Sequence, residues 1–373
     1  MKKTLLATAV IGALSASAAA QAATVYDEDG TKVDLYGRIA LGVAGGGPEY
    51  NGAGLKIDND PEFVDVFSRL GFRLSQEITR DLTAFGRLEW RFRADESGTR
   101  NGNDFDAFSE TRQAYLGVTS NQYGTFQAGN FDSFYNQFVS LPFDVYIDRG
   151  FRFAGHPKQS RGDSIGYYTP DLEGFTAFLQ AKHYSERGLI DEDYFFDPIT
   201  GAPAGRETSS DSSEFATQGG VRYAQGPVTI GLGFVDDVVE GDGGNDEMLY
   251  GLVGSYDFTD NFSARLGYEG RENGDEDVNA AIGRGGYDSV GIGGTFTTGP
   301  WAFNVDYYNI DRDDAETSRS WATGAYYNVS SNFDVFLEVA NEDAPRVNRN
   351  NFVDDLGDLT DDVYWLTGAR YFF

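Results

Sequence analysis

The stretch VDVFSRLGFRLSQEITRDLTAFGRLEWRFR, residues 64–93, contains two long runs in which apolar and polar side chains alternate. In the second run Leu88 and Trp90 are apolar, whereas Arg87 and Glu89 between them are charged. A period of two residues is typical of a β-strand that shows one face to an apolar medium and the other to a polar one. The tripeptide TRD separates the two runs, so the stretch predicts a long β-hairpin.

The same alternation continues through the rest of the chain. It predicts sixteen strands, at residues 33–43, 64–78, 82–93, 111–120, 124–130, 164–169, 175–183, 214–224, 228–235, 248–256, 262–269, 287–296, 301–310, 321–329, 333–340 and 363–373. Tight turns such as Gly226-Pro227 and Gly299-Pro300 alternate with long polar connections such as 185–213. Segment 111–120 alternates less cleanly, and its pattern places Arg112 on one face and Tyr115 on the other.

An even number of antiparallel strands with short turns at one end and long loops at the other is typical of a transmembrane β-barrel. Several segments reach the roughly 9 to 11 residues that a tilted strand needs to cross a bilayer. A β-sandwich shows the same alternation, but its strands average about five or six residues. We therefore predict an all-β fold, an antiparallel transmembrane barrel with short periplasmic turns, long external loops and a polar, watery lumen.

Composition narrows the function classes. The chain has 373 residues, 59 acidic and 29 basic ones, and a formal net charge of −30. This charge argues against nucleic acid as a partner. The chain contains no cysteine, which excludes disulfides, thiolate catalysis and cysteine-based metal sites.

The first residues have the pattern of a secretory signal. Lys2 and Lys3 precede an apolar run that ends in small residues and Ala20-Gln21-Ala22. We expect cleavage after residue 22, which leaves 27 basic residues and a net charge of about −32 on the mature chain. A membrane anchor is the alternative, but the apolar run is shorter than the roughly 20 residues that a spanning helix needs. Residues 23–373 carry no linker signal and are predicted to form a single barrel domain.

One segment does not fit the alternation. Residues 131–161, FDSFYNQFVSLPFDVYIDRGFRFAGHPKQSR, contain eight Phe and Tyr residues and no strand pattern. A connection of this length without its own secondary structure is usually functional, and its aromatic side chains favour burial. It follows the fifth predicted strand and is therefore the third external loop, which we expect to fold inward and constrict the lumen.

Several segments together resemble the general porins of Gram-negative outer membranes. They are VYD at 25–27, KVDLYGR at 32–38, SRLGF at 68–72, DLT at 81–83, ETRQAYLGV at 110–118 and GARYFF at 368–373. The resemblance follows the mature chain in order and is strongest in its first hundred and last ten residues. It implies a homotrimer of sixteen-stranded barrels in the outer membrane, in contact with lipid and lipopolysaccharide, that passes ions and small hydrophilic solutes.

The resemblance also implies roles for individual residues. Arg38, Arg69, Arg112 and Arg161 match the basic residues on one side of the constriction. Gly368, Tyr371 and Phe373 in the last strand resemble the signal that the barrel-assembly machinery reads. The chain departs from the family at the loop tip, where many members have Pro-Glu-Phe-Gly-Gly and this sequence has Leu141-Pro142-Phe143-Asp144.

From the residues alone, the inward positions of the first four strands concentrate arginine. Arg73, Arg87, Arg91 and Arg93 join those above as lumen-lining candidates. Close guanidiniums need water, counter-ions or carboxylates between them. Candidate acids on the inserted loop are Asp132, Asp144 and Asp148.

Two other interpretations of these charges stay open. The arginines could form ordinary cross-strand pairs with Glu77 and Glu89, and Asp144 and Asp148 could cap the loop or pair with Arg149 or Arg152.

Catalytic and metal-binding signals are weak. His156 and His183 begin no nucleophile or metal motif, and the spacing of His183 and Ser185 has no catalytic logic. Acidic runs at 242–246 and 275–277 lack the spacing of a calcium loop. We therefore expect a passive channel without a cofactor or covalent step, and the acid excess at the mouth favours cations. A substrate-selective channel and an outer-membrane enzyme or adhesin are the alternatives.

Overall fold

The computed structural model of the chain describes residues 22–47, 56, 60–95, 108, 110–148, 162–184, 191–196, 203–209, 214–237, 247–272, 286–313, 317–341 and 363–373. Residues 1–21, 149–161, 242–246 and 275–277, for which the sequence makes predictions, lie outside these ranges.

The described residues form twenty strands and one short helical segment. The strands are β1 Ala23–Glu28, β2 Thr31–Gly46, β3 Glu62–Asp65, β4 Arg69–Glu77, β5 Leu82–Arg91, β6 Glu110–Ser120, β7 Gly124–Asn130, β8 Ser164–Tyr168, β9 Phe175–Tyr184, β10 Asp191–Phe196, β11 Pro203–Ser209, β12 Glu214–Gln225, β13 Val228–Asp237, β14 Glu247–Thr259, β15 Phe262–Arg271, β16 Tyr287–Thr298, β17 Trp301–Arg312, β18 Ser318–Ser330, β19 Phe333–Asn341 and β20 Val363–Phe372. Between β7 and β8, a π-helical turn at Asn136–Ser140 continues into a 3₁₀ turn at Leu141–Phe143.

The strands pair antiparallel with their neighbours along the chain, and β20 pairs with β2 to close the sheet. Closure satisfies the backbone groups that an open edge would expose to lipid. Counting β3 and β4 as one interrupted strand, and leaving out β1 and the separate hairpin β10–β11, gives a barrel of sixteen strands. The predicted fold class and strand count are confirmed.

Side chains alternate between the two faces of the barrel as the sequence predicts. In the register of β14 with β15, Leu252 pairs with Tyr268, and these side chains are 50% and 45% exposed on the outer face. One position along, Gly251 pairs with Glu269, which is buried in the lumen-facing layer. The apolar exterior is the face that contacts lipid in a barrel of this type.

Tight turns join the strands at one end of the barrel. Gly226 and Gly299 take φ of 61° and 55° in two of these turns. Positive φ is accessible to glycine without steric cost, which explains the Gly-Pro turn signals. No helix in the part of the chain that the structure describes is long and apolar enough to cross a membrane.

Three segments differ from their predicted course. Segment 64–78 is interrupted, because Phe67 takes a φ of 61° and Ser68 accepts the Ala40 backbone N–H at 3.0 Å through its hydroxyl. The connection 185–213, predicted to be a polar loop, contains the hairpin β10–β11. Strand structure also begins earlier in the chain than predicted, since β1 precedes the first predicted strand and pairs with the start of β2.

The prediction that Arg112 and Tyr115 lie on opposite faces is wrong. The register between β5 and β6 shifts at Trp90, which pairs with Thr111, while Glu89 pairs with Gln113, so Arg112 is an extra residue in a β-bulge. The extra residue resets the alternation. Arg112 therefore contacts Glu89 in the lumen, and Tyr115 contacts Phe131 of the inserted loop.

Candidate pore constriction

Residues 131–148 of the connection between β7 and β8 run inside the barrel and are named here the constriction loop. Its first residues bind polar side chains of the inner wall. The Ser133 hydroxyl donates to Gln218 Oε1 at 2.6 Å, and the Phe134 backbone N–H donates to Gln180 Oε1 at 2.9 Å. The predicted inward course is confirmed for these residues.

Aromatic rings hold this end of the loop. Phe134 is fully buried and lies 5.3 Å from Phe131, 5.5 Å from Tyr168 and 6.3 Å from Phe178, measured between ring centroids. Phe138 stacks on Phe178 at 5.0 Å. A fully buried ring of this size contributes roughly 1.5–3 kcal/mol. The aromatic richness of the segment therefore serves to fix it against the wall.

Glycines of the wall make room for the π-helical turn. A Cβ on Gly231 would lie 2.5 Å from the Phe138 carbonyl oxygen and 2.6 Å from Val139 Cα. A Cβ on Gly233 would lie 2.8 Å from a Val139 methyl group. Contacts this close do not occur with a side chain in place, so the backbone of the loop reaches the wall only because β13 has glycine at both positions.

From Tyr135 onward, the loop binds strands further round the wall. The Tyr135 hydroxyl donates to Glu269 at 2.8 Å, and the Asn304 side-chain amide donates to the Val145 carbonyl at 3.0 Å. The backbone N–H groups of Ile147 and Asp148 donate to the two carboxylate oxygens of Glu338 at 2.6 and 3.0 Å. The loop thus extends across the lumen between two sets of strands.

Burial changes the ionisation of two tyrosines on the loop. Burial, with the nearby Glu269 carboxylate, raises the pKa of Tyr135 well above its ordinary value. Burial, with the nearby Asp306 carboxylate, raises the pKa of Tyr146 in the same direction. Both phenols stay neutral at physiological pH, and Tyr146 donates to the Ala322 carbonyl at 2.9 Å.

Arginines of the first strands converge on one carboxylate. Glu89 of β5 lies 2.7 Å from Arg112, 2.9 Å from Arg87 and 3.5 Å from Arg69, measured between side-chain nitrogen and oxygen atoms. The Glu89 side chain is 1% exposed, and the Tyr36 hydroxyl also donates to it at 2.8 Å. The sequence offers Glu89 only as a cross-strand partner of the arginines, and the structure makes it the centre of the group.

Arg38 lies beside this group. Arg38 pairs in register with Arg69, which in turn pairs with Arg91 on the next strand. The Arg38 Nε donates to the Phe67 carbonyl at 3.0 Å, so the strand interruption supplies its acceptor. Arg38, Arg69, Arg87 and Arg112 together are named here the arginine cluster.

The other lumen-lining candidates surround the cluster. The Arg73 guanidinium lies 4.4 Å from the centre of the Tyr36 ring. Arg91 forms an ion pair with Glu110 at 3.1 Å and lies 4.7 Å from the centre of the Phe67 ring. Stacking of guanidiniums on aromatic faces is favourable.

The candidate loop acids are separated from each other. Asp132 is the second residue of the loop and is partly exposed, and its backbone carbonyl accepts the Gln137 side-chain N–H at 2.5 Å. Asp144 follows the 3₁₀ turn and is also partly exposed. Asp148 is buried, with its backbone N–H bonded to Glu338. Asp148 therefore lies at the far attachment of the loop.

Two buried ion pairs lie in the barrel that the sequence does not predict. Arg265 binds Asp306 through two hydrogen bonds of 2.8 and 2.9 Å, and Arg370 binds Asp334 at 3.0 and 2.7 Å. Arg370 and Asp334 lie on the neighbouring strands β20 and β19, whereas Arg265 of β15 reaches Asp306 of β17 across β16. Arg265 also lies 5.7 Å from the centre of the Phe143 ring, so it supports the tip of the constriction loop.

The last strand closes the barrel through its final residues. The Phe373 backbone carbonyl accepts the Gly37 N–H at 2.8 Å, and the Phe373 N–H donates to the Gly37 carbonyl at 3.1 Å. Gly368 pairs with Gly42 of β2, and Tyr371 points outward with 49% of its surface exposed.

Most of the remaining candidates lie outside the residues that the structure describes. Arg161 and His156 lie outside the described residues, as do Ser185 and the acidic runs 242–246 and 275–277. His183 lies near the end of β9 and packs 4.7 Å from Phe215, measured between ring centroids. In the described ranges, no group of three or more His, Cys, Asp or Glu side chains is placed to hold a metal ion.

Comparison with known proteins gives one family. The family model described as Gram-negative porin matches residues 7–345. A monosaccharide porin from a Halomonas species is 32% identical over 195 residues, which cover 49% of this chain and 50% of that protein. Outer membrane porin F of Escherichia coli is 34% identical over 130 residues, which cover 35% of this chain and 33% of that protein. The chain spans about half the length of the first of these curated relatives and less of the second.

Solved porin structures share the fold. An OmpF structure from Salmonella typhi, in complex with daunomycin, superimposes with a TM-score of 0.65 at 16% identity and covers 94% of this chain and 100% of that one. An anion-selective porin from Comamonas acidovorans gives a TM-score of 0.65 at 20% identity, covering 92% and 100%. At sequence identities this low, the superpositions establish a shared fold only.

Proposed function

Because the chain belongs to the Gram-negative porin family, we propose that it forms a water-filled channel for passive diffusion of ions and small hydrophilic solutes across the outer membrane. The observation that carries the proposal is the constriction loop. Its wall contacts narrow a lumen lined with charged side chains. A closed barrel with a polar interior offers solutes a hydrated path, and the loop limits their size.

The mechanism requires no covalent step. A solute that loses part of its hydration at the constriction finds replacement hydrogen bonds from guanidiniums and carboxylates of the wall. The fixed charges of the arginine cluster and the loop acids Asp132 and Asp144 create an electric field across the pathway. This field orients dipolar solutes and separates them by charge, while the attached loop sets the size limit.

A substrate-selective channel is the second candidate, since a relative over half of the chain is named a monosaccharide porin. The family and the fold favour a channel over an enzyme or an adhesin.

Planar-bilayer recording of the purified protein tests the proposal. We expect large, roughly ohmic current steps in potassium chloride. A barrel that inserts without current steps would refute the channel. Saturable block by glucose, but not by a polyol of similar size, would favour the selective channel.

Assembly and export belong to the same proposal. We infer a homotrimer that contacts outer-membrane lipid and lipopolysaccharide, is inserted by the barrel-assembly machinery through residues 368–373, and is exported by a signal removed after residue 22. Sizing by light scattering after mild extraction tests the trimer. Amino-terminal sequencing of the extracted protein tests the cleavage, with Ala23 expected first.

A further inference from the structure

One part of the inner wall carries almost no charge. On β6 to β9, the side chains that alternate inward from Gln113 to Gln180 are amides, hydroxyls, aromatic rings and glycines. The charged exception is Lys182, near the end of β9 that leads into the connection 185–213. Outward positions carry apolar side chains such as Leu116 and Leu179, which are 68% and 56% exposed. This wall, together with Phe85 on the adjoining strand β5, is named here the neutral sector.

Two aromatic rings of the neutral sector keep part of their surface free in the lumen. Phe85 and Tyr168 point inward and are half-buried. Tyr168 lies 5.5 Å from Phe134 and 5.3 Å from Phe138 between ring centroids, so the constriction loop covers part of it. A Cβ on Gly117, opposite Phe85 in register, would lie 2.5 Å from the Phe85 ring. The Phe85 ring therefore lies directly over this glycine.

Tyr115 of β6 links Phe85 to the constriction loop. Its ring lies 6.2 Å from Phe85 and 5.8 Å from Phe131, measured between centroids, and is itself half-buried. The Tyr115 side chain is also hydrogen-bonded to Arg87. The rings are therefore held in place before a solute arrives, which lowers the entropy lost on binding.

Hydroxyl groups lie beside these rings. Thr125 is opposite Tyr168 in register, and its Oγ1 is 2.8 Å from the Thr119 Oγ1. Thr125 is buried, whereas Thr119 and Thr176 are half-buried at inward positions. A hydroxyl can donate one hydrogen bond and accept two. The threonines therefore offer uncharged hydrogen-bonding groups to a solute that contacts the rings.

We propose that the neutral sector is a binding subsite for neutral ring sugars, that is, hexoses in the pyranose form. A pyranose has a flat face of C–H groups and a rim of hydroxyls. Its C–H face would displace water from the half-buried aromatic rings, and its rim matches the threonine hydroxyls. Small-molecule sites commonly combine aromatic side chains with a few polar groups. This inference rests on the proposed function and names one solute class that the channel retains.

The absence of charge in the neutral sector favours a neutral solute over an ion. An ion that leaves water for this wall loses hydration and gains no opposite charge, and that exchange is unfavourable. A sugar carries no net charge and exchanges its hydrogen bonds with water for hydrogen bonds with threonines. The neutral sector and the arginine cluster therefore present different chemistry to a passing solute.

The test uses glucose as the probe and mannitol as the control. Mannitol is a polyol of similar size, but it is an open chain and has no ring face. In planar bilayers in potassium chloride, glucose should lower the wild-type current in a saturable way. The loss should exceed the loss that mannitol causes at the same concentration, which accounts for viscosity and for simple volume exclusion.

The double variant Phe85→Leu/Tyr168→Leu removes both aromatic rings and keeps an apolar side chain at each position. We expect its half-saturating glucose concentration to rise about fivefold or more. The single variant Phe85→Leu leaves the contacts of Tyr168 with the loop in place and should show part of this rise. The matched control is Tyr167→Leu, since Tyr167 precedes Tyr168 and lies on the outer face with 42% of its surface exposed. Its glucose response should equal that of wild type.

The outcomes separate the subsite from the channel. Absence of current steps in wild type would refute the channel. Current steps with equal losses in glucose and mannitol would overturn the subsite and leave the channel standing. An unchanged half-saturating concentration in the single and double leucine variants, each shown to be folded by its mobility in unheated gels, would overturn the subsite as well.

Discussion

The Ile147 backbone N–H donates to Glu338 Oε1 at 2.6 Å, although the two residues are 191 positions apart. Together with the Asp148 N–H on the other oxygen, this contact attaches the far end of the constriction loop to β19. Glu338→Gln keeps one acceptor oxygen and replaces the other by a donor facing the N–H groups. We expect a loss of roughly 1–3 kcal/mol in unfolding free energy, and larger, noisier current steps.

Single-channel recording checks the prediction for Glu338, with Glu77→Gln at the exposed end of β4 as the control. A Glu338→Gln channel with the conductance and noise of wild type would show that the loop is held without this carboxylate.

Gly231→Ala should displace the π-helical turn. The new Cβ would lie 2.5 Å from the Phe138 carbonyl, and backbone on both sides limits relaxation. We expect a changed conductance with a barrel that still assembles. Gly86→Ala is the control, because its Cβ would meet its nearest neighbours at 3.6 Å. Equal conductance in both variants would contradict the close fit between loop and wall.

Alkaline pH should weaken the attachment of the loop. The folded-state pKa values of Tyr135 and Tyr146 are raised, so their contribution to stability is complete below the unfolded pKa of about 10 and is lost as pH rises through the folded values. We expect the midpoint of denaturant unfolding to fall above pH 10. In the Tyr135→Phe/Tyr146→Phe variant this fall should be smaller, even though the variant is less stable at neutral pH.

Absorbance at the phenolate band, recorded against pH, provides the direct readout. Tyr135 and Tyr146 should be among the tyrosines that ionise in the alkaline range of the unfolded wild-type protein but not of the folded one. As long as both proteins stay folded, the wild-type protein and the double Phe variant should give the same phenolate absorbance, because Tyr135 and Tyr146 remain neutral. A wild-type excess already at pH 10 would contradict it.

Removal of Phe373 should weaken the closure of the barrel. The residue makes two backbone hydrogen bonds to Gly37, and its ring also lies against that glycine. Deletion removes bonds and ring, whereas Phe373→Ala removes the ring alone. We expect deletion to lower the temperature at which the folded band is lost in gel electrophoresis, and the alanine variant to lie between deletion and wild type. Equal temperatures for all three would exclude a role in closure.

Alternation of side chains was enough to predict the barrel and the strand number. Whether a side chain points inward or outward follows from its neighbours along the chain, as the alternation around Leu88 and Glu89 shows. The inward course of the loop could be predicted because eight aromatic residues in one connection require burial. Interruptions of the period could not be predicted. The bulge at Arg112 and the turn at Phe67 depend on pairing across strands.

The sequence also could not predict which side chains contact each other within the lumen. Tyr36 reaches Glu89 across Gly71, and Arg265 reaches Asp306 across Gly293, because in each case the register places glycine on the strand between them. A Cβ on Gly71 would lie 2.6 Å from the Tyr36 hydroxyl, and one on Gly293 would lie 2.7 Å from the Arg265 Nε. If the strand register is known, a glycine between two charged or phenolic side chains that lie two strands apart predicts contact between those side chains.

The pairing of β2 with β20 sets an order on assembly. Most strand pairs join neighbours along the chain and can form as local hairpins, but Arg38 meets Phe372 only after every intervening strand is present. Pairings between distant segments form slowly, and an open strand edge can pair with other chains meanwhile. The unpaired edge of β2 is therefore the surface of a folding intermediate most in need of protection before insertion is complete.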